Sequence, residues 1–219
     1  MTHDLHGDST ESAMTSPNDI DTLRRDGLRE VATIGAGHAA TALSQLTNRR
    51  IMISVPHVHR IHFGEVPQMV SAFGDHVAVV AMRILGDLTG RALLTFGEYD
   101  ATRLCDLILR RPPGPPRALG ELEQSGLKEV GNIVCSAYLT ALSNFMGMML
   151  LPSVPALTIG PTSQAIASTV DPAEEAGDLV FCVDTAFRAE GTESPLTGAF
   201  LLMPDQASVR AILEAIRLD

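Results

Sequence analysis

The chain contains one sequence pattern twice, first at residues 20–56 and again at residues 119–155. Thirteen of the 37 aligned positions are identical, and the longest identical run is Thr-Ala-Leu-Ser at 41–44 and 140–143. A repeated unit that cannot bury its apolar face alone must pack against its own copy. We therefore predict two pseudo-symmetric halves that share one sheet.

Proline and composition signals divide the chain into a tail, two halves and a linker. Residues 1–17 are polar and lack hydrophobic periodicity, which predicts a disordered tail. The segment 111–117 contains four prolines, which remove backbone donors and exclude a helix, so we expect it to link the halves. The halves then occupy about 18–110 and 118–217 within a single domain over 18–219.

Hydrophobic periodicity predicts helices and strands in both halves. The first half should contain a helix from Asn18 or Asp19 to Thr47, strands at 51–55 and 57–61, a loop or short helix at 65–73, paired strands at 77–85 and 88–95, and a helix at 98–110. The second half should contain a helix at 119–147, strands at 149–158, 163–170, 178–188 and 196–203, and a helix at 204–217. The predicted fold class is a pseudo-twofold α/β sandwich in which two long helices cover the face of a largely antiparallel sheet.

Composition narrows the classes of partner and compartment. The net charge is −10 and the 16 basic residues are scattered, which argues against a nucleic-acid groove and favours a basic protein surface as partner. No signal-peptide stretch and no long apolar run occurs, so we predict a cytoplasmic chain without membrane insertion. Cys105, Cys135 and Cys182 have apolar neighbours and no paired spacing, which predicts buried free thiols in a reducing compartment.

The second copy of the pattern places three polar residues on one narrow face of its helix. At about 100° per residue, Ser125, Glu129 and Asn132 fall within about 60° of one another, and we call them the second stripe. The apolar residues of the helix lie on the opposite side, which predicts that the second stripe faces outward. Gly126 and Gly131 flank it and should let a partner approach closely. The alternative is an ordinary solvated face of an amphipathic helix.

The spacing Ser125-x3-Glu129-x2-Asn132-x22-Pro155 resembles the signature of the CheC/CheX/FliY phosphatases, which act on CheY-type response regulators in bacterial and archaeal chemotaxis. Within this family, the segments Leu-Lys-Glu-Val-Gly-Asn-Ile at 127–133 and Ile-Gly-Ala-Gly-His-Ala-Ala-Thr-Ala-Leu at 34–43 resemble the CheC branch. The similarity covers about residues 20–217. It implies a CheC-like fold and a hydrolase that removes the aspartyl phosphate of a CheY-like response regulator.

The resemblance also implies roles for the residues of the motif. Asn132 would enter the regulator's cleft and orient the attacking water, and Glu129 would pair with the regulator's active-site lysine. Ser125 would act at the rim, and Pro155 would shape the following strand. A neutral carboxamide suits this task because it both donates and accepts hydrogen bonds, whereas phosphoryl oxygens repel a carboxylate. The chain itself is expected to bind no cofactor, and Mg²⁺ is expected on the response regulator.

The first copy of the motif departs from the family pattern. Asp26, Glu30 and Thr33, which we call the first stripe, correspond to the second stripe, and Pro56 corresponds to Pro155. Thr33 stands where the motif has Asn, and its side chain is shorter and branched at Cβ. We therefore predict a degenerate first site in which Glu30 still helps to dock a partner.

Two sequence patterns that could indicate another function lack the context that such a function needs. Gly35-x-Gly37-x-x-Ala40 matches a dinucleotide-binding turn, but that turn needs a preceding strand and this segment has helical periodicity. His57, His59 and His62 have no evident Cys or carboxylate partner in the sequence, so we predict no metal site. The alternative to a phosphatase is a non-catalytic adaptor that binds a response regulator, the receptor deamidase CheD or the flagellar switch.

Overall fold

The computed structural model describes residues 17–55, 57–169, 179–190 and 194–215, with side chains from Asp26 onward. Residues 1–16 of the predicted disordered tail, which spans 1–17, lie outside this description. Pro17 is the first residue of a helix. Proline suits the first turn of a helix, where its missing N–H has no intrahelical acceptor to lose.

Seven elements occur in the same order in each half of the chain. The first seven, with a short 3-10 helix at Phe63–Glu65 before α2, are α1 (Pro17–Thr47), β1 (Ile51–Ser54), β2 (Val58–His62), α2 (Val66–Ser71), β3 (His76–Gly86), β4 (Gly90–Gly97) and α3 (Glu98–Ile108). The second seven are α4 (Glu121–Met146), β5 (Leu150–Pro152), β6 (Ala156–Pro161), α5 (Thr162–Ala167), β7 (Leu179–Ala189), β8 (Leu196–Pro204) and α6 (Gln206–Ala215). Each half therefore reads helix, two strands, helix, two strands, helix.

The eight strands form one antiparallel sheet in which the halves exchange strands. The order is β1-β7-β8-β4-β3-β5, so β4 and β8 pair at the centre. β1 and β2 of the first half follow one another along β7, while β5 and β6 of the second half follow one another along β3. Neither half holds a complete sheet of its own, so the chain forms a single folding unit.

Helices cover both faces of this sheet. Alternate residues of β3 divide between two cores: Val80 and Met82 face α1, α3, α4 and α6, whereas Val77 and Val79 face the short helices α2 and α5. A strand buried on both faces explains why the sequence of β3 is apolar almost without interruption. The predicted fold class is confirmed. Among the described residues, no helix combines the length and the apolar character needed to cross a membrane.

Two of the predicted strands are wrong. Residues 163–170 were predicted as a strand, but Thr162–Ala167 form α5, which buries Ala165 and Ile166 against the face that α2 also covers. A short apolar run fits either element, and docking on the sheet decides between them. The strand predicted at 149–158 is two strands, because Pro152 and Pro155 provide no N–H group for a continuous ladder.

Two arginines of the proline-rich linker pair with buried carboxylates of α3 and α4. Arg117 Nη2 lies 2.5 Å from Asp106 Oδ1 and 2.6 Å from Glu123 Oε1, and Arg111 Nη1 lies 3.0 Å from the same Glu123 oxygen. The N–H of Gly114 also donates to Asp106, at 2.9 Å. Both carboxylates are almost fully buried, so their charges depend on these partners.

The same contacts change the acidity of both carboxyl groups. Burial acts to raise the pKa of Asp106, but hydrogen bonds from Arg117 and Gly114 lower it below its ordinary value. Hydrogen bonds from the Gly120 N–H and from Arg117 lower the pKa of Glu123. A carboxyl with a lowered pKa in the folded chain adds stability above its unfolded pKa, and that stability is lost as the pH falls through the folded pKa.

We expect Arg117→Met to lower the free energy of unfolding at neutral pH, because two buried carboxylates lose their main partner. The loss should shrink below about pH 4, where the carboxyl groups become protonated. Urea denaturation at pH 7 and at about pH 3 measures both values. Arg110→Met, at an exposed position beside the linker, is the control and should change stability by less than about 0.5 kcal/mol. An equal loss at both pH values would contradict the charge argument.

Glycine at position 131 allows α4 to approach β3 closely. A Cβ atom there would lie 2.3 Å from Val80 Cγ1 and 2.8 Å from Val80 Cβ, and Val80 is a buried, β-branched residue of β3. We expect Gly131→Ala to destabilise the protein by about 1–2 kcal/mol, since overpacking outweighs the gain in helix propensity. Gly37→Ala, on the open side of α1 with no atom within 4 Å of the new Cβ, should instead stabilise it by about 0.5–1 kcal/mol. Thermal and urea denaturation of the two variants give opposite signs if this packing is correct.

Candidate active site

α4 is a long helix with a defined cap at each end. Its first N–H groups are supported by Glu123, whose carboxylate accepts a 2.8 Å hydrogen bond from the Gly120 N–H. Gly147 ends the helix in the left-handed conformation at φ 64°. The body of the helix packs against α1 and β3, so the direction of each outward side chain is fixed by tertiary contacts as well as by the helix itself.

The predicted division of α4 into a buried and an outward face is correct. The residues predicted to face the core are buried or half-buried; they are Leu127, Val130, Val134, Ala137, Ala141 and Phe145. Ser125 and Glu129 are exposed and Asn132 is half-buried. The second stripe therefore faces solvent, with Asn132 as its least accessible member.

The expectation for the flanking glycines is only partly correct. Gly131 is buried against Val80, so its missing side chain serves packing on the sheet and gives no partner access to the helix. Gly126 is half-buried, and a Cβ there would meet Ile108 at 3.7 Å, an ordinary contact distance. The helical-wheel angle alone did not reveal how closely the neighbouring strand approaches position 131.

The second stripe lines one side of a surface groove of about 540 Å³, which we call the stripe groove. Pro155, which precedes β6, also lines it, so all four motif positions of the second copy meet at one site. The remaining lining residues come from α1, from the end of α3 and from α4. They are Leu46, Ile108, Leu109, Leu122, Gly126 and Lys128. Sequence reasoning found the motif residues but missed Lys128 and the apolar wall, because the first half of the chain supplies much of that wall.

The functional groups of the second stripe are available to a partner. Within the part of the chain that the structure describes, nothing hydrogen-bonds to the Asn132 carboxamide or to the Glu129 carboxylate. The two residues are three positions apart on α4 and so project from adjacent turns. A neutral donor and acceptor thus lies beside an anion, with the Lys128 ammonium lining the same groove.

The first stripe differs in its chemistry and in its contacts. Asp26, Glu30 and Thr33 are all exposed on α1, as the repeat predicts. The Thr33 hydroxyl donates a 2.8 Å hydrogen bond to the carbonyl of Arg29, one turn earlier, so the helix backbone already accepts its proton. Pro56, the fourth position of the first copy, lies outside the described residues.

Two other candidate chemistries are absent from this region. Gly35, Gly37 and Ala40 lie within α1, where no strand-to-helix turn exists, so the dinucleotide-binding alternative is excluded. The three cysteines are buried free thiols, as predicted, and burial raises the pKa of each to about 12. They are therefore protonated at neutral pH and do not act as nucleophiles.

Comparison with known proteins identifies the family. A model described as the CheC-like family matches residues 25–60 and 122–159, and each match contains one stripe. The CheY-P phosphatase CheC of Bacillus subtilis is 31% identical over 201 residues, which cover 91% of this chain and 96% of that protein. The flagellar motor switch phosphatase FliY of the same organism is 27% identical over 134 residues, which cover 61% of this chain and 35% of that protein.

A solved structure supports the same fold. The crystal structure of FliY from Thermotoga maritima superposes with a TM-score of 0.71 at 22% identity, covering 93% of this chain and 98% of that one. The structural likeness concerns the fold, whereas the 31% identity extends over nearly the full length of both sequences. On these grounds, this chain belongs to the CheC family.

Proposed function

We propose that this protein is a phosphatase that hydrolyses the aspartyl phosphate of a CheY-like response regulator. The observation that carries this proposal is the stripe groove, where the unengaged carboxamide of Asn132 lies beside the unengaged carboxylate of Glu129. Membership of the CheC family and the phosphatase names of the two relatives support the same class of reaction.

The proposed chemistry requires little from the phosphatase beyond positioning. A water oxygen attacks phosphorus in line with the bond to the aspartyl oxygen, that bond breaks, and the products are the free carboxylate and inorganic phosphate. Catalysis of such a transfer rests mainly on orientation and on charge stabilisation. We assign the Asn132 carboxamide oxygen to accept a hydrogen bond from the attacking water, and its NH₂ group to donate to the phosphoryl group.

The neighbouring charges serve docking in this proposal. Glu129 is exposed and pairs with a lysine of the partner, which directs Asn132 into the partner's cleft. Lys128 lines the same groove and attracts the negative phosphoryl group during encounter. The apolar residues Leu46 and Leu122 are 38% and 62% exposed, and contact with a partner would remove them from water. Mg²⁺ is expected on the response regulator.

We expect Asn132→Ala to reduce stimulated phosphate release about 100-fold, a loss typical of removing one positioning donor. The assay measures inorganic phosphate released from a phosphorylated CheY-type response regulator, and binding to the same regulator is measured in parallel. Thr33→Ala, the same truncation at the equivalent position of the first stripe, is the matched control and should retain nearly full activity. Unchanged release by Asn132→Ala would remove the proposed mechanism.

A carboxamide placed in the first stripe tests whether Thr33 is the reason that this stripe is expected to lack catalytic activity. In an Asn132→Ala background, Thr33→Asn should raise phosphate release at least about 10-fold above the background variant. The physical reason is that Asn extends past the helix surface, whereas the Thr33 hydroxyl is engaged by the carbonyl of Arg29. Thr33→Ala in the same background should give no increase. Equal rates in both double variants would mean that the first stripe lacks more than a carboxamide.

The alternative function is an adaptor that binds a response regulator, CheD or the flagellar switch without catalysis. The exposed carboxylates of the first stripe favour adaptor binding as a second activity. Docking on a protein surface needs charge but no water-orienting group. The two functions separate in the Asn132→Ala variant. A phosphatase loses turnover and keeps binding, whereas a pure adaptor has no turnover to lose.

A further inference from the structure

The sheet carries a mixed cluster of nitrogen, sulfur and oxygen donors where the two halves pair. His59 lies on β2, and Cys182 and Asp184 lie on β7. Each offers one ligand atom, and these three atoms lie within 4.8 Å of one another. Cys182 is fully buried, while His59 and Asp184 are half-buried. The cluster therefore has an inner thiol and two donors that remain accessible from solvent.

The strand register produces this arrangement. β2 and β7 pair antiparallel, with His59 directly opposite Cys182. Asp184 follows Cys182 by two residues and so points to the same face of the sheet. Donors held on two paired strands keep their separation, because the backbone ladder fixes both strands.

Two further side chains extend the cluster. His57 Nδ1 lies 3.4 Å from Asp184 Oδ2, and the His57 carbonyl accepts a 3.0 Å hydrogen bond from the Asp184 N–H. Met69 on α2 places its Sδ 3.9 Å from Cys182 Sγ, which closes the inner side. The outer side therefore has a second imidazole within reach of the carboxylate.

The pseudo-symmetric strand pair, β6 on β3, provides an internal comparison. At the equivalent register, β6 pairs with β3 so that Thr158 lies opposite Val79, and Ala81 is two residues further along. The β6–β3 pair has a hydroxyl and two aliphatic side chains where the β2–β7 pair has an imidazole, a thiol and a carboxylate. The fold itself therefore does not require the three donors.

We propose that His59, Cys182 and Asp184 bind one Zn²⁺ ion as three protein ligands, with the fourth position open to water. Imidazole, thiolate and carboxylate are the ligands that Zn²⁺ takes in proteins, usually four in a tetrahedron. Cys182 would bind as the thiolate, so its thiol proton passes to solvent when the ion binds. Ligand atoms around Zn²⁺ are about 3.5 Å apart, so small side-chain rotations bring the present group to that distance. Ca²⁺ and Mg²⁺ do not fit, since they prefer oxygen ligands throughout.

The ion would link β2 of the first half to β7 of the second half. The site lies on the α2 and α5 face of the sheet, opposite the face covered by α4, so it is separate from the stripe groove. Its role is a cross-link that stabilises the pairing of the halves. The zinc site does not depend on phosphatase activity of the chain.

Zinc binding is tested on the full chain after treatment with a chelator, with Zn²⁺ alone as the probe. Calorimetric titration should give one Zn²⁺ per chain, and the melting temperature should rise with added Zn²⁺. His59→Gln and Asp184→Asn, which change half-exposed side chains, should each weaken binding at least about 10-fold. The matched controls are His62→Gln on the same strand and Cys105→Ala in the other core, and both should bind Zn²⁺ like the parent chain.

A spectroscopic measurement tests the thiolate ligand directly. Co²⁺ in place of Zn²⁺ should give a thiolate-to-cobalt charge-transfer band in the near ultraviolet, and Cys182→Ser should abolish this band. Absence of the band in the parent chain would overturn the proposal. Absence of stoichiometric Zn²⁺ binding, or equal affinity in the parent chain and in both ligand variants, would overturn it as well.

Discussion

The antiparallel pairing of β4 with β8 is the contact on which the rest of the structure depends. It joins the third and fourth strands of each half into one sheet, whose outer strands are then β3 and β7. Glycines at opposite ends of this ladder permit it: a Cβ at Gly90 would lie 2.3 Å from the Met203 carbonyl oxygen, and one at Gly198 would lie 2.5 Å from that of Thr95. Each half then covers the open edge of the other with its first two strands, which removes two exposed edges.

This exchange also builds the stripe groove. α4 belongs to the second half, but it packs on β3 of the first half through the close contact between Gly131 and Val80. Leu46 and Ile108 from the first half line the groove together with Pro155 of the second half. The motif residues sit on one helix, whereas the surface that would receive a partner needs both halves. A partner-binding site of this kind exists only when the whole unit has folded.

Duplication supplies two copies of each structural position, and the copies differ at the positions of the proposed chemistry. Asn132 and Thr33 occupy equivalent positions on equivalent helices, yet only the carboxamide is free of its own backbone. His59 and Thr158 show the same asymmetry on the sheet, where one copy gathers metal-ligating side chains and the other stays largely aliphatic. Each half thus acts as a reference for what the fold alone requires.

The sequence by itself determined the repeat, both long helices, most strands and the outward direction of the second stripe. These features depend on local periodicity, which is legible along the chain because each helix or strand buries one side. Tertiary structure decided what periodicity does not encode. Thr162–Ala167 form a short helix because of the sheet face they cover, and Gly131 faces a strand that is distant in sequence. His59 lacked an evident ligand partner in the sequence because Cys182 and Asp184 reach it only through the register of β2 on β7, which forms when the halves pair.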